Sequence, residues 1–149
     1  MKLSEDWIIG FVDGEGCFRV SILRHPETNT GYQVLPEFTV VQHEQDKQIL
    51  YALKSYFKCG VVRKNHSDRW CYRIRKLSCL KTLCNFFNKH PLKTKKNVDY
   101  IKFRRIIQDM IQRKHLTREG LEKIIKTAIT MNTADKKKFL QIKQNLGIK

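Results

Sequence analysis

The chain has 149 residues, enough for one hydrophobic core or two very small ones. Apolar residues at 41% are ordinary for a folded protein and exclude an intrinsically disordered chain. Thirty Lys and Arg against fourteen Asp and Glu leave a formal charge of +16, an excess that repels itself in a compact fold and points to a polyanionic partner.

No run approaches the roughly 18 apolar residues of a membrane-spanning helix. Residues 1–6 turn acidic by the fifth position, unlike a signal or transit peptide, so the chain is expected to stay inside the cell where it is made and off the membrane. Ser4 is placed to cap a helix, with Glu5 and Asp6 favourable against its dipole. Residues 7–13 are apolar on nearly every side, a pattern that predicts a helix buried all round, and Gly14 and Gly16 stop it. From Cys17 the period changes to two: Phe18, Val20 and Ile22 share one face, and Arg19, Ser21, Leu23 and His25 the other. A turn cluster at 26–31 leads to a second strand over 32–42, with Val34, Phe38 and Val40 inward and Gln33, Glu37 and Thr39 outward. Helical spacing follows over 45–57, ended by Cys59 and Gly60.

A second hairpin is predicted from 61–64, a polar turn at 65–68, and a strand over 69–76. In that strand Trp70, Tyr72 and Ile74 face one way and Arg69, Cys71, Arg73 and Arg75 the other. Ser78 is placed to cap a helix through Phe87, Pro91 breaks the chain, and further helices are expected from just after Lys96 to about Arg113, over 117–131 and over 134–144. The order is αββαββα with helical additions at the C-terminus. No repeat or long linker divides it, so residues 1–149 are expected to form a single domain. Five cysteines, with no C-x-x-C pair and spacings to His66 and His90 that match no common zinc pattern, predict free thiols.

Four strands with one apolar and one polar face predict an α+β fold, an antiparallel four-stranded sheet with its helices on one side. The open side would carry Arg19, Ser21, His25, Gln33, Thr39, Arg63, Arg69, Arg73 and Arg75. These are base-edge chemistries: Arg suits guanine, Gln suits adenine, and Thr suits either partner or the thymine methyl. Lysines and arginines of the later helices, Lys136 among them, suit phosphate contacts that carry affinity without sequence information.

The segment Ile8-Ile9-Gly10-Phe11-Val12-Asp13-Gly14-Glu15-Gly16 resembles the motif of the LAGLIDADG homing endonucleases, with Gly10, Asp13 and Gly16 matching and Glu15 where the family usually has Asp. The element order that follows, over about the first 110 residues, extends the resemblance. It implies a site-specific double-strand DNA endonuclease that hydrolyses phosphodiester bonds with a divalent cation, Mg²⁺ by its oxygen chemistry. One motif implies a homodimer paired through Ile9, Gly10 and Asp13, with the sheets forming a DNA-binding saddle. Glu15 and the Gly14 carbonyl are implied as metal ligands. Gln42 is implied to orient water, and Lys95 (or its neighbour Lys93) to offset charge on the scissile phosphate. The resemblance also implies an intron-encoded protein, in a mitochondrion or chloroplast if the intron lies there and otherwise in a bacterial cytoplasm. A strand ribbon of about nine residues at roughly 3.3 Å each reads about nine base pairs, for a site on the order of 20 bp. The rival reading is a non-catalytic binder, an RNA maturase that helps its own intron fold.

Overall fold

The Ser4 hydroxyl accepts from Trp7 N at 3.2 Å and opens the first helix, α1 (Glu5–Glu15), in a computed structural model that describes residues 1–149. No loop follows. Gly16 donates its N–H to the Val12 carbonyl as the helix cap and is also the first residue of β1 (Gly16–Arg24). The turn at 25–31 closes through His25 N donating to the Gly31 carbonyl, with Gly31 at φ +82, and delivers β2 (Tyr32–His43). A 3-10 turn at Glu44–Asp46 precedes α2 (Lys47–Phe57). Then come β3 (Val61–His66), β4 (Arg69–Ile74), α3 (Leu77–Lys89), α4 (Lys96–Ile111), α5 (Arg118–Ala128) and α6 (Lys136–Leu146). No helix is long and apolar enough to cross a membrane.

The sheet is four-stranded and antiparallel, in the order β1-β2-β4-β3. Burial alternates as the period of two requires: Phe18, Val20, Ile22, Val34, Phe38, Val40, Tyr72 and Ile74 are buried. The second hairpin turns more tightly than the sequence predicts, and β4 ends at Ile74, two residues short of the expected strand over 69–76. β3 runs on to His66 through an irregularity between Lys64 and His66, and Ser67 turns the chain at φ 53. Ser78 is not a cap, because α3 begins one residue earlier, behind Lys76.

The chain divides into two compact units, each discontinuous in sequence. The first joins Met1–Phe18 to Glu37–Val98, the second Arg19–Pro36 to Asp99–Lys149. In the first unit, α2 packs on β3 and β4. Its centre is aromatic: Phe18 lies 5.2 Å from Phe38 and 5.8 Å from Phe87, and Phe38 lies 6.5 Å from Tyr72, tilted or edge-on as ring quadrupoles prefer. Burial pushes the Tyr72 phenol up, and its hydroxyl donates to the Cys59 carbonyl at 2.7 Å. The second unit is centred on Tyr100, Phe103, Ile106, Ile107, Leu121, Ile124 and Ile125, all buried.

The expectation of free thiols fails at one pair. Cys59 and Cys79 form a disulfide, 20 residues apart in sequence. The β3–β4 hairpin returns the chain so that Cys59, the second residue past α2, meets the first turn of α3, with Cα atoms 5.9 Å apart, which suits a bridge. Cys17, Cys71 and Cys84 are free. A bridge closing so short a loop contributes about 3 kcal/mol by restricting the unfolded chain. Cys59→Ser is therefore expected to lower the melting temperature by about 6–12 °C under non-reducing conditions, and dithiothreitol to lower the parent by the same amount and the variant not at all.

Candidate active site and nucleic-acid interface

Two carboxylates, Asp13 and Glu15, stand in the last turn of α1, which holds no basic residue. Acids there face the negative end of the helix dipole and cost helix stability unless something offsets them. Asp13 is offset. Its Oδ2 accepts from Lys93 N at 2.7 Å, and its Oδ1 accepts from Thr94 N at 3.2 Å and from Thr94 Oγ1 at 2.7 Å. Close by, the Lys96 ammonium donates to the Val12 carbonyl at 3.0 Å. Glu15 is exposed at the point where helix becomes strand, and neither a hydrogen bond nor an ion pair engages its carboxylate.

Glu15 and the Gly14 carbonyl offer oxygen donors only, which suit a hard divalent cation such as Mg²⁺. No cluster of three or more His, Cys, Asp or Glu side chains with metal-holding geometry exists in one chain. The donors fit a cation in kind, and Mg²⁺ commonly completes such a set with waters and phosphate oxygens.

Expected burial of α1 on all sides holds for one side only. Ile8, Ile9 and Val12 are buried in their own chain, whereas Gly10 and Gly14 are exposed and Trp7 is 41% exposed. Trp7 stacks on Phe11 at 4.8 Å, so this face presents two aromatic rings beside two glycines. Ile9 thus belongs to the chain's own core, and the side chain of Asp13 is taken by its own 93–94 segment. Trp7 and Phe11 are the surface residues that the sequence reading passed over. Their spacing of four was the available signal.

In the first unit, the register sets Thr39 opposite Arg73 across β2 and β4, and Arg63 opposite Cys71 across β3 and β4. These residues share one face of the sheet, opposite the buried Phe38, Val40, Tyr72 and Ile74. Arg75, just beyond β4, donates Nε to Glu37 at 2.8 Å, which leaves its terminal nitrogens outside that contact. Partial burial first, then the neighbouring Arg75 and Arg63, pull the Arg73 guanidinium below its ordinary value, although it stays charged. Arg69 is exposed, 3.9 Å from Asp68. Gln42 lies opposite Trp70, half-buried and on the Val40 side of the sheet, as the alternation predicts. Lys93 and Lys95 are both exposed.

In the second unit, Arg19 and Gln33 are exposed. Arg19 and Ser21 line a cavity of about 130 Å³ with Asp135 and Lys138. His25 serves the turn through its main chain, and its Nδ1 is buried without a partner.

An apolar helix that ends in paired acids and feeds directly into an antiparallel sheet with a basic open face defines the class of protein. A family model described as LAGLIDADG endonuclease matches residues 8–107, and the chain belongs to that family. The probable intron-encoded endonuclease 2 of Neurospora crassa is 32% identical over 133 residues, which cover 87% of this chain and 29% of that protein. The chain therefore spans less than a third of the length of that curated relative. The crystal structure of the homing endonuclease I-TnaI superposes with a TM-score of 0.96 at 57% identity, covering 98% of this chain and 99% of that one. The I-SmaMI LAGLIDADG homing endonuclease bound to cleaved DNA gives a TM-score of 0.93 at 30% identity, with this chain matching 97% of its own length and 49% of the other.

Proposed function

We propose that the protein is a site-specific double-strand DNA endonuclease whose residues 1–149 act as one LAGLIDADG domain. Two copies pair through α1 and cut a long pseudo-palindromic site. The observation that carries this reading is Glu15: an exposed carboxylate at the unfavourable end of the motif helix, offset by nothing in its own chain, while Asp13 in the same turn has three donors. An uncompensated acid held where it costs stability is the mark of a functional position. The formal charge of +16 supplies attraction to DNA.

Paired through Gly10 and the Trp7–Phe11 face, two copies bring two Glu15 carboxylates together, and each repels the other unless a cation lies between them. The Glu15 carboxylates and Gly14 carbonyls would hold Mg²⁺. When bound, the cation lowers the pKa of a ligated water and offsets phosphate charge. Lys95 offsets charge on the scissile phosphate, and Gln42 at the end of β2 orients water. The open sheet face, from Arg19, Ser21, His25 and Gln33 to Thr39, Arg63, Arg69, Arg73 and Arg75, reads base edges. I-SmaMI, at 30% identity, is described bound to cleaved DNA, and the Neurospora relative is named a probable intron-encoded endonuclease. The I-SmaMI description supports cleavage of DNA, and the Neurospora name supports a protein encoded within an intron. On the motif resemblance alone, the protein is assigned to the organelle or cell whose intron encodes it, with intron RNA as a further partner.

Incubation with a randomised duplex library and Mg²⁺ tests the reading. One discrete site on the order of 20 bp is expected to be cut, with all cutting lost in EDTA. Binding without cutting at any sequence overturns it in favour of a non-catalytic binder.

Reading and gripping separate by mutation. Arg73→Ala is expected to cost about 1–3 kcal/mol and to relax preference at one symmetric pair of positions. Lys136, exposed at the start of α6, should lose affinity about equally for all sequences when replaced by Ala, with the salt slope lowered by about one unit. Site-preference profiles at two salt concentrations check both, and a uniform loss for Arg73→Ala would remove the base-reading role.

A further inference from the structure

Asp13 is the acid of the motif helix that the scheme above leaves without a task. Its carboxylate reaches 80 residues along the sequence, to the segment just before α4. Lys93 N and Thr94 N point at it, and so does the Thr94 hydroxyl. None of these donors belongs to α1. The Thr94 hydroxyl works twice, donating to Asp13 and accepting from Lys96 N at 3.2 Å. Beyond Lys95, the Lys96 ammonium holds the Val12 carbonyl at 3.0 Å, and Val98 N donates to the Lys95 carbonyl at 3.0 Å. Lys95 is therefore exposed while the residues on both sides of it are tied to the last turn of α1. A lysine side chain is long and flexible, so the place its ammonium can occupy is set by how firmly its main chain is held.

We propose that Asp13 is a positioning residue for Lys95. It fastens the 93–95 segment to the end of the motif helix that carries Glu15, so that the Lys95 ammonium meets a phosphate held beside Glu15, and Thr94 is the link through which it acts. The assignment rests on the role given to Lys95 above. No bond forms or breaks at Asp13. What it supplies is geometry, and a displacement of about an ångström at a reacting centre costs on the order of 10²-fold in rate. A carboxylate that merely stabilised the start of α4 would also lie here, since that end of a helix favours negative charge. The two roles differ in whether Asp13 still matters once Lys95 is gone.

Asp13→Asn turns an acceptor into an NH₂ group facing Lys93 N. In the DNA-free protein, amide exchange at Lys93 and Thr94 is expected to quicken by about tenfold or more. Single-turnover cleavage should fall by roughly 10- to 100-fold while DNA affinity stays within about twofold. With Lys95→Ala already in place, adding Asp13→Asn should change the rate by less than about threefold, because no ammonium remains to be placed. Losses that multiply in the double variant overturn the positioning role and leave Lys95 in its own. Cleavage by Lys95→Ala at the parent rate overturns the Lys95 assignment, and the positioning role with it. If Asp13→Asn does not fold, Thr94 carries the test: Thr94→Ala is expected to lose activity and Thr94→Ser to restore it, and an equal loss in both overturns the proposal.

Discussion

Glu15→Gln is expected to abolish cleavage while DNA affinity stays the same or rises slightly. The amide matches the carboxylate in shape and keeps one oxygen, so what disappears is charge. As a cation ligand, that charge is worth several kcal/mol of transition-state stabilisation, or at least about 10²-fold in rate. The same substitution removes an acid from the negative end of α1, where nothing offsets it. Folding stability should therefore be unchanged or higher by about 0.3–1 kcal/mol. Removing negative charge beside DNA phosphate favours binding as well. Single-turnover cleavage, fluorescence anisotropy with labelled duplex and thermal melting together check the prediction. Cleavage above about a tenth of the parent rate contradicts the ligand role, and a marked drop in melting temperature would make Glu15 a structural residue.

The strands and the motif helix were legible because their signals are local. A period of two in residues 17–25 and 32–42, and Ser4 ahead of an apolar run, need no knowledge of the rest of the chain, and the buried sets match the predicted ones. What the sequence withheld depends on distant partners. Cys59 pairs with Cys79 only because a hairpin of a particular length returns the chain. Asp13 finds its donors 80 and 81 residues away. Glu37 was legible as outward-facing, but its ion pair with Arg75 follows from a strand register that alternation alone cannot supply. Hydrophobicity around α1 marked it for burial without saying by what: within one chain Ile8, Ile9 and Val12 are covered and Trp7 is not. Ser78 had the chemistry of a cap, and Lys76 occupies the place.

The three glycines of the motif are expected to respond differently to substitution, and only Gly16→Ala to damage the fold. Its backbone lies at φ −76, which any residue adopts, so the constraint is space. An added Cβ would stand 2.6 Å from Val12 Cγ1, 2.9 Å from the Val12 carbonyl and 3.3 Å from Phe38 Cε1. Val12 and Phe38 are both fully buried. The Val12 carbonyl accepts from Gly16 N and from the Lys96 ammonium, so it cannot retreat without loosening both bonds. Overpacking of this kind costs about 1–3 kcal/mol, or roughly 3–10 °C in melting temperature for a chain of this size. It should also lower cleavage, because Glu15 and Lys96 depend on the same helix end. At Gly10 and Gly14 an added Cβ meets nothing within 4 Å. Gly10→Ala and Gly14→Ala should therefore leave the single chain as stable as the parent, or more stable by up to about 1 kcal/mol from helix propensity. Gly10→Leu separates folding from pairing: it should melt near the parent temperature when dilute, yet place bulk on both sides of a two-fold interface and sediment as monomer. Melting of Gly16→Ala within about 1 °C of the parent would show that the junction of α1 and β1 has room to give, and an undiminished dimer for Gly10→Leu would mean that the exposed Trp7–Gly10 face of α1 is not where two copies meet.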